Sequence, residues 1–169
     1  MTLRLILVRH AKSSWDSPFQ EDHDRVLNAR GRRAAVDISK HLKTSGFIPA
    51  EVACSSARRT VETWERMAPA FPDTTVMRRV PEMYLASTDT LLACLRNCAA
   101  SPVMMLAHNP GIADFAARLL QQPCTHPRFS DFPTCSTLVV DFDAADWAEI
   151  RPGSGALVDF VIPADLKPA

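Results

Sequence analysis

The sequence lacks an excess of charge of either sign: 19 Lys and Arg stand against 19 Asp and Glu, for a formal net charge of zero. That excludes bulk electrostatic attraction to nucleic acid or to an anionic membrane, and leaves room only for a local cationic cleft. Aromatic residues are scarce, at 7%, so the core has to be built mainly from Leu, Val, Ala, Ile and Met. Long hydrophobic runs are missing. The first apolar stretch, residues 5–8, is cut off by Arg9, which is too short for a membrane span or for the apolar part of a signal peptide. The expected location is the cytoplasm. Repeats and low-complexity stretches are absent. The cysteines are five, Cys54, Cys94, Cys98, Cys124 and Cys135, an odd and widely spaced set that does not suit a disulfide framework. Cys94 and Cys98 would supply two metal ligands from one helix, but no second pair follows, and no metal or other cofactor is expected.

What is present is the composition of an ordinary folded protein. The chain has 169 residues, 47% hydrophobic and 22% charged, which suits one domain over residues 1–169. Short apolar runs alternate with segments of helical periodicity. Residues 3–8 read as a buried strand. A polar segment over 11–27 reads as a long loop of the kind that carries function or moves. Asn28 reads as the N-cap of a helix over 29–45, with Gly46 at its C-terminal end. Residues 52–54 read as a second strand, and Ser55 or Ser56 as the cap of a helix over 57–67. Residues 74–77 read as a third strand and 87–97 as a helix. A fourth strand at 103–107 is followed by a helix over 112–121. Residues 122–135 are irregular, and two late strands at 138–142 and 156–162 read as antiparallel neighbours. This order predicts α/β architecture: a single three-layer domain, with a mostly parallel central sheet and helices on both faces.

Chemistry-bearing residues collect at one end of that sheet. Arg9 and His10 follow the first strand, Arg59 lies on the first turn of the helix after the second, and His108 follows the fourth. Ligands of open α/β sheets bind outside the carboxyl ends of the strands, so these four residues are expected on one rim. The arginine fork suits a phosphoryl group, and a neutral histidine among such donors can attack phosphorus. The free helix N-terminus beside Arg59 adds amide donors. His23, His41 and His126 have no such setting and read as loop or surface residues.

These residues also carry a resemblance. Arg9-His10-Ala11-Lys12-Ser13-Ser14-Trp15-Asp16, Leu27-Asn28-Ala29-Arg30-Gly31, Ser55-Ser56-Ala57-Arg58-Arg59-Thr60-Val61-Glu62-Thr63 and Ala107-His108-Asn109-Pro110-Gly111 resemble, in order, the motifs of the histidine phosphatase (phosphoglycerate mutase-like) superfamily. The Arg-His-Ala-Lys-Ser variant and the His-Asn-Pro-Gly turn are similar to its SixA-like phosphohistidine phosphatase branch. The spacing to Thr63 selects Arg59 over Arg58. Lys12 replaces the family's usual glutamate and makes the entrance more basic, and Asp16 stands where a polar amide usually helps to hold phosphate.

The resemblance implies a phosphoglycerate mutase-like fold and a metal-independent phosphatase. His10 would take the phosphoryl group as a phosphohistidine intermediate. Arg9, Arg59 and a protonated His108 would stabilise the equatorial oxygens. Glu82 would protonate the leaving group, with Asp16 as the second candidate. With little room for the insertions that roof the pocket in longer relatives, the site is expected to be open. That suits a phosphorylated protein, such as a histidine-phosphorylated domain, as substrate and partner. The alternatives are a broad small-molecule phosphomonoesterase, with a pocket built from Trp15, Phe19 and residues 122–135, and a non-catalytic phosphate-binding module. Neither nucleic acid nor membrane is expected as a partner.

Overall fold

The first apolar run becomes strand β1 (Thr2–Arg9). Leu3, Leu5 and Leu7 enter one core, while Ile6 and Val8 enter the other. A strand covered on both faces has no polar alternation to show. The computed structural model describes residues 1–167. After β1 come α1 (Ala29–Thr44), β2 (Glu51–Ser55), α2 (Arg58–Met67), β3 (Val76–Val80), α3 (Thr88–Arg96), β4 (Val103–Ala107), α4 (Gly111–Leu119), β5 (Thr137–Asp143) and β6 (Ala156–Val161). All six strands lie in one sheet of order β3-β2-β4-β1-β5-β6. The first four in that order run parallel, and β5 and β6 add antiparallel at one edge. Helices α1 and α2 cover the face that carries Ile6 and Val8, and α3 and α4 cover the other. This is the expected three-layer architecture.

Two elements differ from the sequence expectation. β3 sits further along than 74–77, because it is the sheet's edge and carries Arg78 and Arg79 with exposed Val76; charge on an edge strand guards against pairing with another chain and hides the strand pattern. Helix α2 is capped by Ala57, with no side-chain cap bond. Ser55 and Ser56 are turned to other uses, described below.

Helix α1 begins as its sequence directs. Asn28 Oδ1 accepts from the Gly31 amide at 2.8 Å, the usual N-cap bond. At its end, Gly46 N–H donates to Lys43 O and Phe47 N–H to Leu42 O, a closure that needs the left-handed backbone of Gly46 (φ +80°). With α1 on one face and α4 on the other, the connections leaving β1 and β4 part in opposite directions. Adjacent parallel strands whose connections part in this way open a crevice at their carboxyl ends.

Gly31 fixes how closely α1 approaches the segment after β1. A Cβ there would stand 2.1 Å from the Lys12 carbonyl oxygen, which already accepts from Asn28 N–H at 3.0 Å. Gly31→Ala is therefore expected to cost about 1–3 kcal/mol, as overpacking does. Urea unfolding should show a lower midpoint at unchanged m-value; an unchanged midpoint would mean that the Lys12 segment shifts freely.

Candidate active site

Strand register brings the two histidines together. Arg9 of β1 pairs with Ala107 of β4, so His10 and His108 leave neighbouring strands at the same level. The His10 amide donates to Ala107 O at 3.1 Å, and the two imidazole centroids lie 5.3 Å apart. β2 borders β4 on its other side, with Cys54 opposite Leu106. Ser55 thereby comes 2.7 Å from His108 Nε2.

Each ring has a defined orientation. His10 Nδ1 lies 2.7 Å from Ala11 O. A carbonyl only accepts, so Nδ1 carries the proton and Nε2 keeps its lone pair. Ala11 is itself held from behind, its amide donating to Thr63 Oγ1 at 3.0 Å, while that hydroxyl donates to Arg59 O at 2.7 Å. The Arg59-to-Thr63 spacing thus has a mechanical reason: one turn of α2 positions both the arginine and the peptide after His10. His108 Nδ1 is buried and has no partner.

Both rings are held neutral. Burial lowers the His10 pKa well below its usual value, and His108, Arg59 and Arg9 push the same way, against the Ala11 carbonyl. For His108, burial and then Arg59 are the larger causes, and its pKa falls to about 3. The expected protonated His108 is thus not the state of the free protein. The physical reason is burial, which disfavours the charged ring, reinforced by the positive charge of Arg59.

The arginines are organised by an acid that sequence reasoning did not select. Asp22 lies in a 3₁₀ turn at Asp22–Asp24 within the polar segment. Arg59 donates to Asp22 O at 2.7 Å and to its Oδ2 at 3.0 Å. Arg25 donates to Asp22 Oδ1 at 3.0 Å, and the Tyr84 hydroxyl donates to Oδ2. Although burial opposes the shift, bonds from Tyr84, Arg25 and Arg59 lower the Asp22 pKa to about 2. Arg9 donates to Phe132 O at 3.0 Å, and its Nε is buried without a partner.

The crevice has a volume of about 260 Å3. Arg9, Lys12, Arg25 and Arg59 line it beside His10 and His108, and no carboxylate is among its lining residues. Of the four buried side-chain polar atoms without a partner among the described residues, three belong to lining residues: Arg9, His108 and Asn109. Buried polar atoms left open at a cleft are places for ligand atoms. Backbone strain collects here as well. Among the described residues, the non-glycine residues with left-handed backbone are Leu85 (φ 50°), Phe132 (φ 45°) and Cys135 (φ 64°). Leu85 lines the crevice, Phe132 O holds Arg9, and Cys135 N–H donates to Arg9 O and His10 O. Such conformations persist where surrounding structure imposes them, and they gather at functional sites.

The structure therefore brings Arg9, His10, Arg59 and His108 to one place. It does not bring Glu82 or Asp16 there: both are exposed and neither lines the crevice, and the charge of Glu82 is felt at Cys94. His41 and His126 pair at the surface with Asp159 and Asp165. His23 is no bystander, since its Nε2 lies 2.9 Å from Ser56 Oγ and its ring packs edge-on against Tyr84. Asp22, Arg25, Tyr84 and Ser55 were missed. Asp22 and Arg25 sit in a polar stretch with several acids, and only the bonds that Arg59 and Arg25 donate to Asp22 distinguish them. Among the described residues, no group of three or more His, Cys, Asp or Glu is placed to hold a metal ion, and no helix is long and apolar enough to cross a membrane.

The neutral state of His108 sets a pH dependence. Above about pH 6.5 folded and unfolded chains both hold a neutral imidazole. As pH falls from there toward 3, the unfolded chain takes up a proton that the folded chain refuses, so stability declines. Urea unfolding at pH 7 and pH 5 should show this loss, and His108→Gln should reduce it. An equal loss in the variant would mean that other groups carry it.

Comparison with known proteins places this site in a family. Residues 5–90 match the model of the histidine phosphatase superfamily (branch 1). An uncharacterised chloroplastic protein of Arabidopsis thaliana is 30% identical over 176 residues, covering 95% of this chain and 78% of that protein. A structure from Nakamurella multipartitia, described as a candidate phosphohistidine phosphatase SixA, is 25% identical with a TM-score of 0.78, covering 96% of this chain and 97% of that one. A second such candidate, from Agrobacterium tumefaciens, is 26% identical with a TM-score of 0.76, covering 95% and 98%. With the strand-end histidines and arginines that the geometry assembles, these matches show that the chain belongs to the histidine phosphatase superfamily, in its SixA-like branch.

Proposed function

We propose that residues 1–169 act as one metal-independent phosphatase domain that takes the phosphoryl group of a phosphohistidine protein onto His10. The observation that carries this reading is the His10 tautomer: the Ala11 carbonyl fixes the proton on Nδ1 and leaves Nε2 as a lone-pair nucleophile in a cleft lined by four cations and no carboxylate. As Nε2 bonds to phosphorus, the bond from phosphorus to the leaving atom breaks. Arg9 and Arg59 donate to the equatorial oxygens as they gain charge. A bound dianion also favours protonation of His108, whose open Nδ1 then donates to the same group. Water cleaves the phosphohistidine in the second step, releasing phosphate and restoring neutral His10.

The choice of substrate rests on the leaving group. Asp22 stays ionised near the arginines, and Glu82 and Asp16 lie off the crevice, so no carboxylic acid stands ready to protonate an alkoxide. A phosphohistidine whose other ring nitrogen carries a proton leaves as neutral imidazole and needs no such acid. Its protein carrier suits an open cleft with Trp15 and Leu85 exposed at the rim.

The parent protein is expected to release phosphate from a phosphohistidine protein in EDTA, and to hydrolyse aryl phosphates at least a hundredfold or so faster than alkyl phosphates, the usual worth of a general acid. His10→Ala should abolish turnover and trapping of phosphate on the protein. Arg59→Ala should cost about a hundredfold or more in kcat, by analogy with a lost oxyanion donor. Glu82→Gln should stay within about twofold of the parent, since no catalytic proton would pass through it. Fast hydrolysis of alkyl phosphates that Glu82→Gln removes would instead establish a small-molecule phosphomonoesterase.

A further inference from the structure

Beside the crevice lies a second hollow, of about 350 Å3, that the reaction as derived does not use. Arg30, Arg33 and Asp37 of α1 form one wall, Arg128 of the segment before β5 another, and Lys167 a third. Lys12 and Thr134 line both the hollow and the catalytic crevice, so the two adjoin. Five cations therefore face one carboxylate. Arg128 is engaged with Asp131 at 2.9 Å. Arg30 and Arg33 enter no ion pair among the described residues, whereas Arg32 between them reaches Glu62 at 2.9 Å.

The start of α1 provides a separate argument. Helices favour acids in their first turn, where the dipole and the free amides are positive. Helix α1 has none there and opens instead Ala29-Arg30-Gly31-Arg32-Arg33. Unpaired cations at that end are unfavourable in the free protein and become favourable when an anion sits against them. A local rule broken without an internal partner is expected where the partner comes from outside.

We propose that this hollow is a second anion subsite, which takes an acidic side chain of the phosphorylated protein while the phosphoryl group occupies the crevice. The assignment rests on the phosphatase reading above and adds a determinant of substrate choice to it. A protein side chain fits better than a second group on a small ester. Both hollows open to solvent, and Trp15 (77% exposed) and Leu85 (54% exposed) present apolar surface at the crevice rim that a macromolecule would cover and a small ester would leave bare.

Arg30 and Arg33 are exposed and do not line the crevice, so the double variant Arg30→Gln/Arg33→Gln should fold and hydrolyse 4-nitrophenyl phosphate as the parent does. Two phosphohistidine peptides serve as probes, identical except for glutamates or glutamines beside the phosphorylated residue. They are compared by kcat/KM and by binding to the otherwise unaltered His10→Ala protein, which needs no turnover. The parent should favour the glutamate peptide about tenfold, an effect of a few partly exposed charge pairs that shrinks in high salt. The two arginine substitutions should reduce that preference to about twofold or less in kcat/KM, and also in binding when made in the His10→Ala background. Equal binding of both peptides to the His10→Ala protein overturns the subsite even where turnover is intact. Preferential binding without turnover of any phosphate overturns the phosphatase reading and leaves the subsite standing. A preference confined to small esters with a second phosphate overturns the assignment to a protein side chain.

Discussion

The pairing of Arg9 with Ala107 is the constraint on which the site depends. It sets His10 and His108 at one level on adjacent strands, and the pairing of Cys54 with Leu106 brings Ser55 to the same level on the next strand. Register in this sheet is firmly specified, because Leu5 and Leu7 face one core and Ile6 and Val8 the other. A slip of one residue would exchange those faces and separate the two rings at the same time. The hydrophobic core and the geometry of the candidate site are thus held by the same side-chain alternation.

Helix α2 does the opposite of what a surface helix ordinarily does. It buries Arg59, Thr60, Glu62 and Thr63, polar groups whose desolvation has to be offset by bonds. The bonds are present, and most of them hold the chain near His10. Glu62 accepts from Leu27 N–H at 2.9 Å and from Arg32. Thr63 accepts from Ala11 N–H, and Thr60 donates to Ser55 O at 2.8 Å. The helix therefore acts as a frame for the segments on both sides of the histidines. Such a network has little tolerance for partial loss, since one missing partner leaves another polar group buried and open.

The fold was largely legible in the sequence because buried parallel strands are short, continuous apolar runs. The strand at 103–107 is found with those same bounds. Asn28 announced α1, and its side chain does accept the expected kind of bond. β3 was placed too early, at 74–77 rather than at Val76–Val80, because an edge strand need not be apolar. At the site, Arg9, His10, Arg59 and His108 were legible because each immediately follows a strand or opens a helix, so that chain order alone places them on one rim. Asp22 and Arg25 were not legible, because the polar segment that carries them has no periodicity and its acids look alike in sequence. Glu82 was the natural choice for a proton donor by position, yet the 3₁₀ turn at Pro81–Met83 leaves it outside the crevice. The strained backbone of Leu85, Phe132 and Cys135 left no trace in residue type, since none is glycine.

Charge explains why so many cations can gather without an acid lining the crevice. Asp22 holds Arg25 and Arg59 from behind, which fixes their forks and offsets part of their mutual repulsion. The imidazoles relieve the rest by staying neutral. Burial lowers the His10 pKa most, and Arg59 and Arg9 push the same way, so the arginines that would attract a phosphoryl dianion also favour the neutral ring that the proposed nucleophile requires. Under the proposed function, an anion in the crevice would reverse the balance at His108, because a neighbouring negative charge favours the protonated ring. Binding and proton uptake would thereby be coupled in one site. His108 Nδ1, buried without a partner, would then donate where negative charge develops, and the proposed reaction would need no additional buried acid.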